Sequence, residues 1–192
     1  GGALLVVSDQ ARYSTIGHLE LLSDPDGSLT LEAVRSAAYR DDFVPTTGTT
    51  PNLGFERSVV WARLRIDNRL EHPATYYLDL AYPLLDWVSL YIVSSSGVTE
   101  YHTGDREPFS ARPVAARTFL FPVQLQPSQP VTVYLRVETV GSLNLPLDLL
   151  SQNAAFERLS IETGMLALYY GALLMLVIYN LYHAWRLQDV NA

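Results

Sequence analysis

Val60-Trp61-Ala62-Arg63-Leu64-Arg65-Ile66-Asp67 places Val60, Ala62, Leu64 and Ile66 on one side of an extended chain, and Trp61, Arg63, Arg65 and Asp67 on the other. Successive side chains of a strand point to opposite faces, so this stretch reads as a strand with one face in a core. The same parity recurs at Leu78 and Leu80, at Val88, Leu90 and Ile92, and at Phe119, Phe121, Val123 and Leu125. It returns at Val131, Val133, Leu135 and Val137, and at Leu143, Leu145, Leu147 and Leu149. Turn signals separate these runs: Pro73, Ser94-Ser95-Ser96-Gly97, Thr103-Gly104-Asp105, Gln126-Pro127-Ser128-Gln129-Pro130 and Gly141-Ser142. Short, evenly spaced strands with one buried face each predict an all-β fold, an antiparallel sandwich or jelly roll rather than a parallel α/β sheet.

Working outward, Leu4 to Val7 reads as a first short strand, and Asp24-Pro25-Asp26-Gly27 as a turn. Thr30 to Arg35, with a capping Thr and an early Glu, suits a short helix. Residues 41–55 are rich in Thr, Gly, Pro and Asn and read as a loop. The expected organisation is an N-terminal strand, helix and loop packing on the sandwich (1–55), a sandwich core (56–152) and a helical linker (153–162). A transmembrane helix (163–185) and the start of a cytoplasmic loop (186–192) follow. Thr163 to Trp185 carries no formally charged residue and is long enough to span a bilayer. No Gly or Pro interrupts Asn153 to Thr163, so the linker is expected to run helically into the membrane segment. Arg158 before it and Arg186 after it leave the positive-inside rule little to count. Export of a large β domain ahead of a membrane helix places that domain in the periplasm.

Composition narrows the chemistry. The net charge is −7, which argues against a nucleic-acid partner. There is no cysteine, hence no disulfide, thiolate metal site or cysteine nucleophile. His18, His72, His102 and His183 are scattered with no metal-ligand spacing, and no Gly-rich loop follows a strand to cradle phosphate. No cofactor and no catalytic residue is expected, and the fragment reads as a non-enzyme.

The strand faces turned away from the core are more suggestive. Trp61, Arg63 and Arg65 share one, Trp87, Ser89 and Tyr91 a second, and Tyr134, Arg136 and Glu138 a third. Aromatics interleaved with arginines suit stacking on a sugar ring or gripping an anion. The bland alternative is a solvent-facing surface, or one covered by loops or another subunit, and whether the three faces adjoin depends on strand order. Trp87, Tyr91, Arg63, Arg136 and Tyr134 are the candidate ligand contacts, with Asp86 as an acceptor. In the loop Thr103 to Arg117, Arg112 and Arg117 are further candidates, against a structural role in pinning a long crossover. In the membrane helix, Asn180 is a polar group in hydrocarbon that calls for a neighbouring helix, and Gly164 and Gly171 permit close approach.

Four strings in order, Tyr82 to Tyr91, Thr103 to Leu125, Val133 to Leu147, and Leu168-Tyr169-Tyr170-Gly171 with Tyr179-Asn180-Leu181, resemble a known family. It is that of bacterial seven-transmembrane receptors with diverse intracellular signalling modules, in particular their type 2 extracellular domain and first membrane helix. The resemblance implies a periplasmic jelly roll akin to carbohydrate-binding modules, held in the bacterial inner membrane. It also implies a cytoplasmic histidine kinase, diguanylate cyclase or related output. Two roles remain open on the residues alone. One is sensing of a small polar ligand or glycan. The other is an interaction module that forms a homodimer or joins a partner receptor.

Overall fold

The computed structural model describes residues 3–46, 58–139 and 145–190. The chain divides into two compact units, Gly1–Asn153 and Ala154–Ala192.

In the first unit the strands are β1 (Leu5–Val7), β2 (Arg12–Ser14), β3 (Leu19–Asp24), β4 (Val44–Pro45), β5 (Ser58–Asn68) and β6 (Ala74–Leu80). They continue with β7 (Trp87–Ser94), β8 (Gly97–Thr103), β9 (Phe119–Leu125), β10 (Val131–Thr139) and β11 (Leu147–Ser151). Among the described residues they form two sheets. The first runs β4-β3-β5-β10-β7-β8 with β1 also paired to β5, and the second runs β2-β11-β6-β9. All pairings are antiparallel except β1 with β5, so one edge of β5 serves β3 along Val59–Leu64 and β1 along Ile66–Asn68.

The expected parity holds. Val60, Ala62, Leu64 and Ile66 meet Leu78, Leu80, Phe119, Phe121, Val123 and Leu125 in one buried cluster, with Val133, Leu135 and Val137 from β10. Full burial of each Leu or Phe here contributes roughly 1.5–3 kcal/mol. Strands β2, β3, β4 and β8 are additions to the sequence reading, β4 falling inside the expected loop at 41–55. Residues 47–55 of that loop, Gly141-Ser142 and Leu143 lie outside the described residues.

The short helix forms as α1 (Leu31–Arg35), capped by Thr30, whose Oγ1 accepts from the Ala33 N–H at 3.3 Å. The turn ahead of it closes because Gly27 takes φ +64° and its N–H donates to Asp24 O. The Asp24 carboxylate accepts from Ser28 N and Leu29 N, so one buried acid holds both sides of the turn.

Tyr13 on β2 and Tyr76 on β6 tie the loop after β1 to the second sheet. Tyr13 Oη accepts from Ser8 N and Gln10 N and donates to Ser8 O, while Tyr76 Oη donates to Gln10 O at 3.1 Å. Burial, then the neighbouring Tyr13 and Asp9, push the Tyr76 phenol up to about 12. An unfolded tyrosine titrates near 10, so the folded phenol holds its proton more tightly. The resulting stabilisation is complete below about pH 10 and is lost as pH rises through about 12. Urea midpoints measured across that window are therefore expected to fall less steeply in Tyr76→Phe than in the parent, and tyrosinate absorbance should show the late phenol directly.

The second unit is helical. Helix α2 runs unbroken over Gln152–Val190, and its portion Gln152–Arg186 is long and apolar enough to cross a membrane. The expected helical continuity from 154 through 185 is thus observed. Its apolar side chains from Met165 to Trp185 are exposed, and Asn180 Nδ2 donates to Leu176 O one turn back at 2.7 Å.

Candidate functional site

Strand order brings the three polar faces together. Because β5, β10 and β7 are neighbours, Arg63 lies opposite Tyr134 and Tyr134 opposite Tyr91, with Glu20 and Glu100 completing the row on β3 and β8. The next row reads Leu22, Trp61, Arg136, Ser89 and His102. A third sets Asp24 opposite Val59, then Glu138 and Trp87. Directly opposed residues share a face, so these rows tile the outer side of the first sheet.

Half of that outer side is not open. Leu29, Leu31, Val34, Tyr39 and Phe43 pack over Leu22, Val59, Trp61 and Tyr134 and make a second, smaller core. Arg63 lies within the cover, 7% exposed. Its Nε donates to Glu20 Oε2 at 2.7 Å, its Nη2 to Arg40 O, and its guanidinium sits 4.1 Å from the Phe43 ring centroid. Tyr134 is buried edge-on to Phe43.

Where the cover ends, a cleft of about 410 Å³ opens between the segment Gly27–Glu32 and β8. Its floor holds Trp61, Ser89, Tyr91 and Arg136, and Glu32 and Glu100 stand at its rim. A second cleft of about 320 Å³ shares Ser89 and Arg136 and adds Trp87, His102, Glu107 and Glu138. The Trp61 and Tyr91 rings stack 5.9 Å apart at 20°. Arg136 is steered by Glu138 Oε2 at 3.3 Å and by Gly27 O at 3.4 Å. His102 bridges Ser89 Oγ at 3.0 Å and Glu100 Oε1 at 3.1 Å. The indole Nε1 of Trp61 is buried with no hydrogen-bond partner. Together the clefts offer a fixed guanidinium, carboxylate acceptors and the half-exposed Trp87, with the unpartnered Trp61 indole N–H buried at their base.

The predicted site residues therefore separate. Trp87, Tyr91 and Arg136 line the clefts. Asp86 accepts from Arg106 Nε at 2.9 Å, which carries the Arg106 guanidinium to 5.4 Å from the Trp87 ring centroid. Arg63 and Tyr134 belong to the covered core. Arg112 sits between the Phe109 and Phe119 rings and donates through Nη1 to Ala116 O and Arg117 O, the pinned crossover weighed above. Arg117 is exposed and lines neither cleft. Asn180, on α2, bonds within its own helix. Sequence reasoning missed Glu32, Glu100 and His102 as site residues; the signal available for the first was the Asp24 to Gly27 turn, which sets α1 over the sheet. Another cleft, about 430 Å³, lies by Asp9, His72, Gln124 and Asn153 and presents no orphaned donor among its lining residues.

Residues 16–151 match the family described as 7TMR-DISM extracellular 2. No curated protein matches the chain. Among solved structures, the chain is similar at 13% identity and a TM-score of 0.36 to a Bacillus thuringiensis Cry1Da tryptic core variant, over 78% of this chain and 25% of that one. The chain thus spans about a quarter of that structure's length.

Proposed function

Because the chain belongs to the 7TMR-DISM extracellular 2 family, the extracellular sensor-type domain of membrane receptors, we propose that it reads a carbohydrate or another small polar molecule in the paired clefts of the first sheet. The observation that carries this reading is the Trp61 indole N–H, buried and unpaired on the floor of a cleft that also holds Arg136 and Ser89. A buried donor without a partner costs roughly 1–3 kcal/mol, and a ligand hydroxyl or carbonyl oxygen placed there removes that cost. Carboxylates at the rim accept from hydroxyls, Arg136 donates, and Trp87 offers a ring edge for stacking. In this reading the sandwich is a jelly roll akin to carbohydrate-binding modules, standing in the periplasm. Helix α2 is then the first membrane helix of an inner-membrane receptor with a histidine kinase or cyclic-di-GMP output.

The test is a glycan array followed by calorimetry on the full chain in nanodiscs. A ligand is expected with Kd below about 1 mM, which corresponds to about −4 kcal/mol. Arg136→Ala is expected to weaken it at least about tenfold. Trp61→Phe, which keeps the ring stack and deletes the donor, is expected to weaken it about fivefold, as for one hydrogen bond of about 1 kcal/mol. If no glycan, amino acid or acidic metabolite binds below about 1 mM, the reading fails.

A further inference from the structure

The ends of the two sheets are treated differently. At one end of the first sheet β4 has two residues and contains Pro45, and β1 has only three. In the second sheet β2 has three residues, and β9 carries Pro122 at its centre. Short strands and prolines are the devices by which edges resist further pairing. Strand β8 has neither. It is seven residues long, lacks proline, ends the first sheet beyond β7, and is exposed from Gly97 to Glu100 and again at His102. Such an edge presents a row of backbone donors and acceptors to an incoming strand.

The side chains of β8 select what that strand is. We infer that β8 pairs antiparallel with β8 of a second copy of this chain, about a two-fold axis through Tyr101. In a two-fold pairing centred on Glu100, two carboxylates face each other, which is destabilising. Moving the centre to Tyr101 sets Glu100 opposite His102 of the second copy and His102 opposite its Glu100. Thr99 then meets Thr103, and Val98 meets Gly104. Glu100 and His102 lie on the same outer face, since they pair with Tyr91 and Ser89 of β7, and they already approach to 3.1 Å within one strand. The pairing therefore builds an alternating cluster of two carboxylates and two imidazoles, in which each carboxylate meets an imidazole N–H in place of a second carboxylate, a complementarity that fixes the register. The same surface patch serves both copies, as a closed dimer requires. Glu100 and His102 also line the clefts, so the pairing is tested without added glycan, where a bound ligand cannot alter their contacts.

Cysteine-free background makes the test clean. In the full chain in nanodiscs, without added glycan, Tyr101→Cys is expected to give a disulfide-linked dimer under mild oxidation, because the paired α-carbons fall within bridging distance. Val98→Cys is expected to give at least tenfold less, since Val98 lies six residues, about 20 Å, from its counterpart. In detergent, Glu100→Lys should raise the dissociation constant measured by sedimentation at least fivefold, and Glu100→Lys with His102→Glu should bring it back to within twofold of the parent. Equal cross-linking at 98 and 101 overturns the inference. So does a chain that stays monomeric at every concentration, or a dimer indifferent to Glu100→Lys, which would leave the edge to another protein's strand. Circular dichroism of each variant separates lost pairing from lost folding.

Discussion

Glu20→Leu is expected to lower the unfolding free energy of the β unit by about 3–5 kcal/mol, the usual consequence of stranding one member of a buried ion pair. Glu20 is 1% exposed and Arg63 7%. The carboxylate accepts from Arg63 Nε at 2.7 Å and approaches Arg65 Nη2 at 3.4 Å. Removing it leaves the Arg63 guanidinium beneath Phe43 with Arg40 O as its remaining hydrogen-bond acceptor among those described. For a domain of this size the melting temperature should fall by roughly 6–20 °C. Replacing both partners, Glu20→Leu with Arg63→Met, should recover most of the loss, since an apolar pair of similar volume is often as stable as a buried salt bridge. Urea unfolding followed by circular dichroism measures each arm, and a single-variant loss below about 1 kcal/mol would place the pair in the class of exposed ones.

Gly104→Ala carries the second large effect. An added Cβ would lie 2.0 Å from Asp86 O, 2.7 Å from Asp86 C and 2.9 Å from Trp87 Cα. All three are backbone atoms, so no side chain can turn aside and the start of β7 has to move. Overpacking of this kind costs typically 1–3 kcal/mol, and the upper end is expected where backbone must yield. The displacement also breaks up a local brace in which Asp105 N donates to Leu85 O at 2.8 Å and Arg106 N to Asp86 O at 3.3 Å. Trp87 is the first residue of β7 and lines the second cleft. Ligand affinity should therefore fall together with stability, whereas Glu20→Leu acts from the covered side. Calorimetric melting and ligand titration on the same sample read both effects.

These residues also show what the sequence could carry. The core face of β5 was legible from Val60 to Ile66 because a period of two is local. The site needed more. Arg63, Tyr134 and Tyr91 become one row only through pairings between strands far apart in the chain, and no local period encodes that order. Trp61 stood on the face read as non-core, yet it is 1% exposed. Its cover comes from Leu29, Leu31, Val34 and Phe43, and although the short helix at Leu31–Arg35 is legible locally, nothing local says which face of the sheet it lies over. Strand β3 escaped for a related reason. With apolar groups on both its sides, Leu19-Glu20-Leu21-Leu22 loses its alternation, and the buried acid within it reads as a surface residue. For Arg112 the sequence allows both a ligand contact and a crossover pin, and the choice depends on two rings and two carbonyls that only the folded loop brings around it.

The pairing of β2 with β11 bears on how the protein is made. Thr15 Oγ1 donates to Leu147 O across 132 residues of chain, and Arg12 meets Asp148 across 136. At roughly 5–20 residues per second of synthesis, β2 waits about 7–27 s for its partner. The partner strand ends at Ser151, and the apolar helix begins at the next residue. Contacts of such long range make folding slow, in the millisecond to second regime. Closure of the second sheet therefore coincides with synthesis of the helix that is long and apolar enough to cross a membrane, and β2 and the flank of β6 stay unpaired until then.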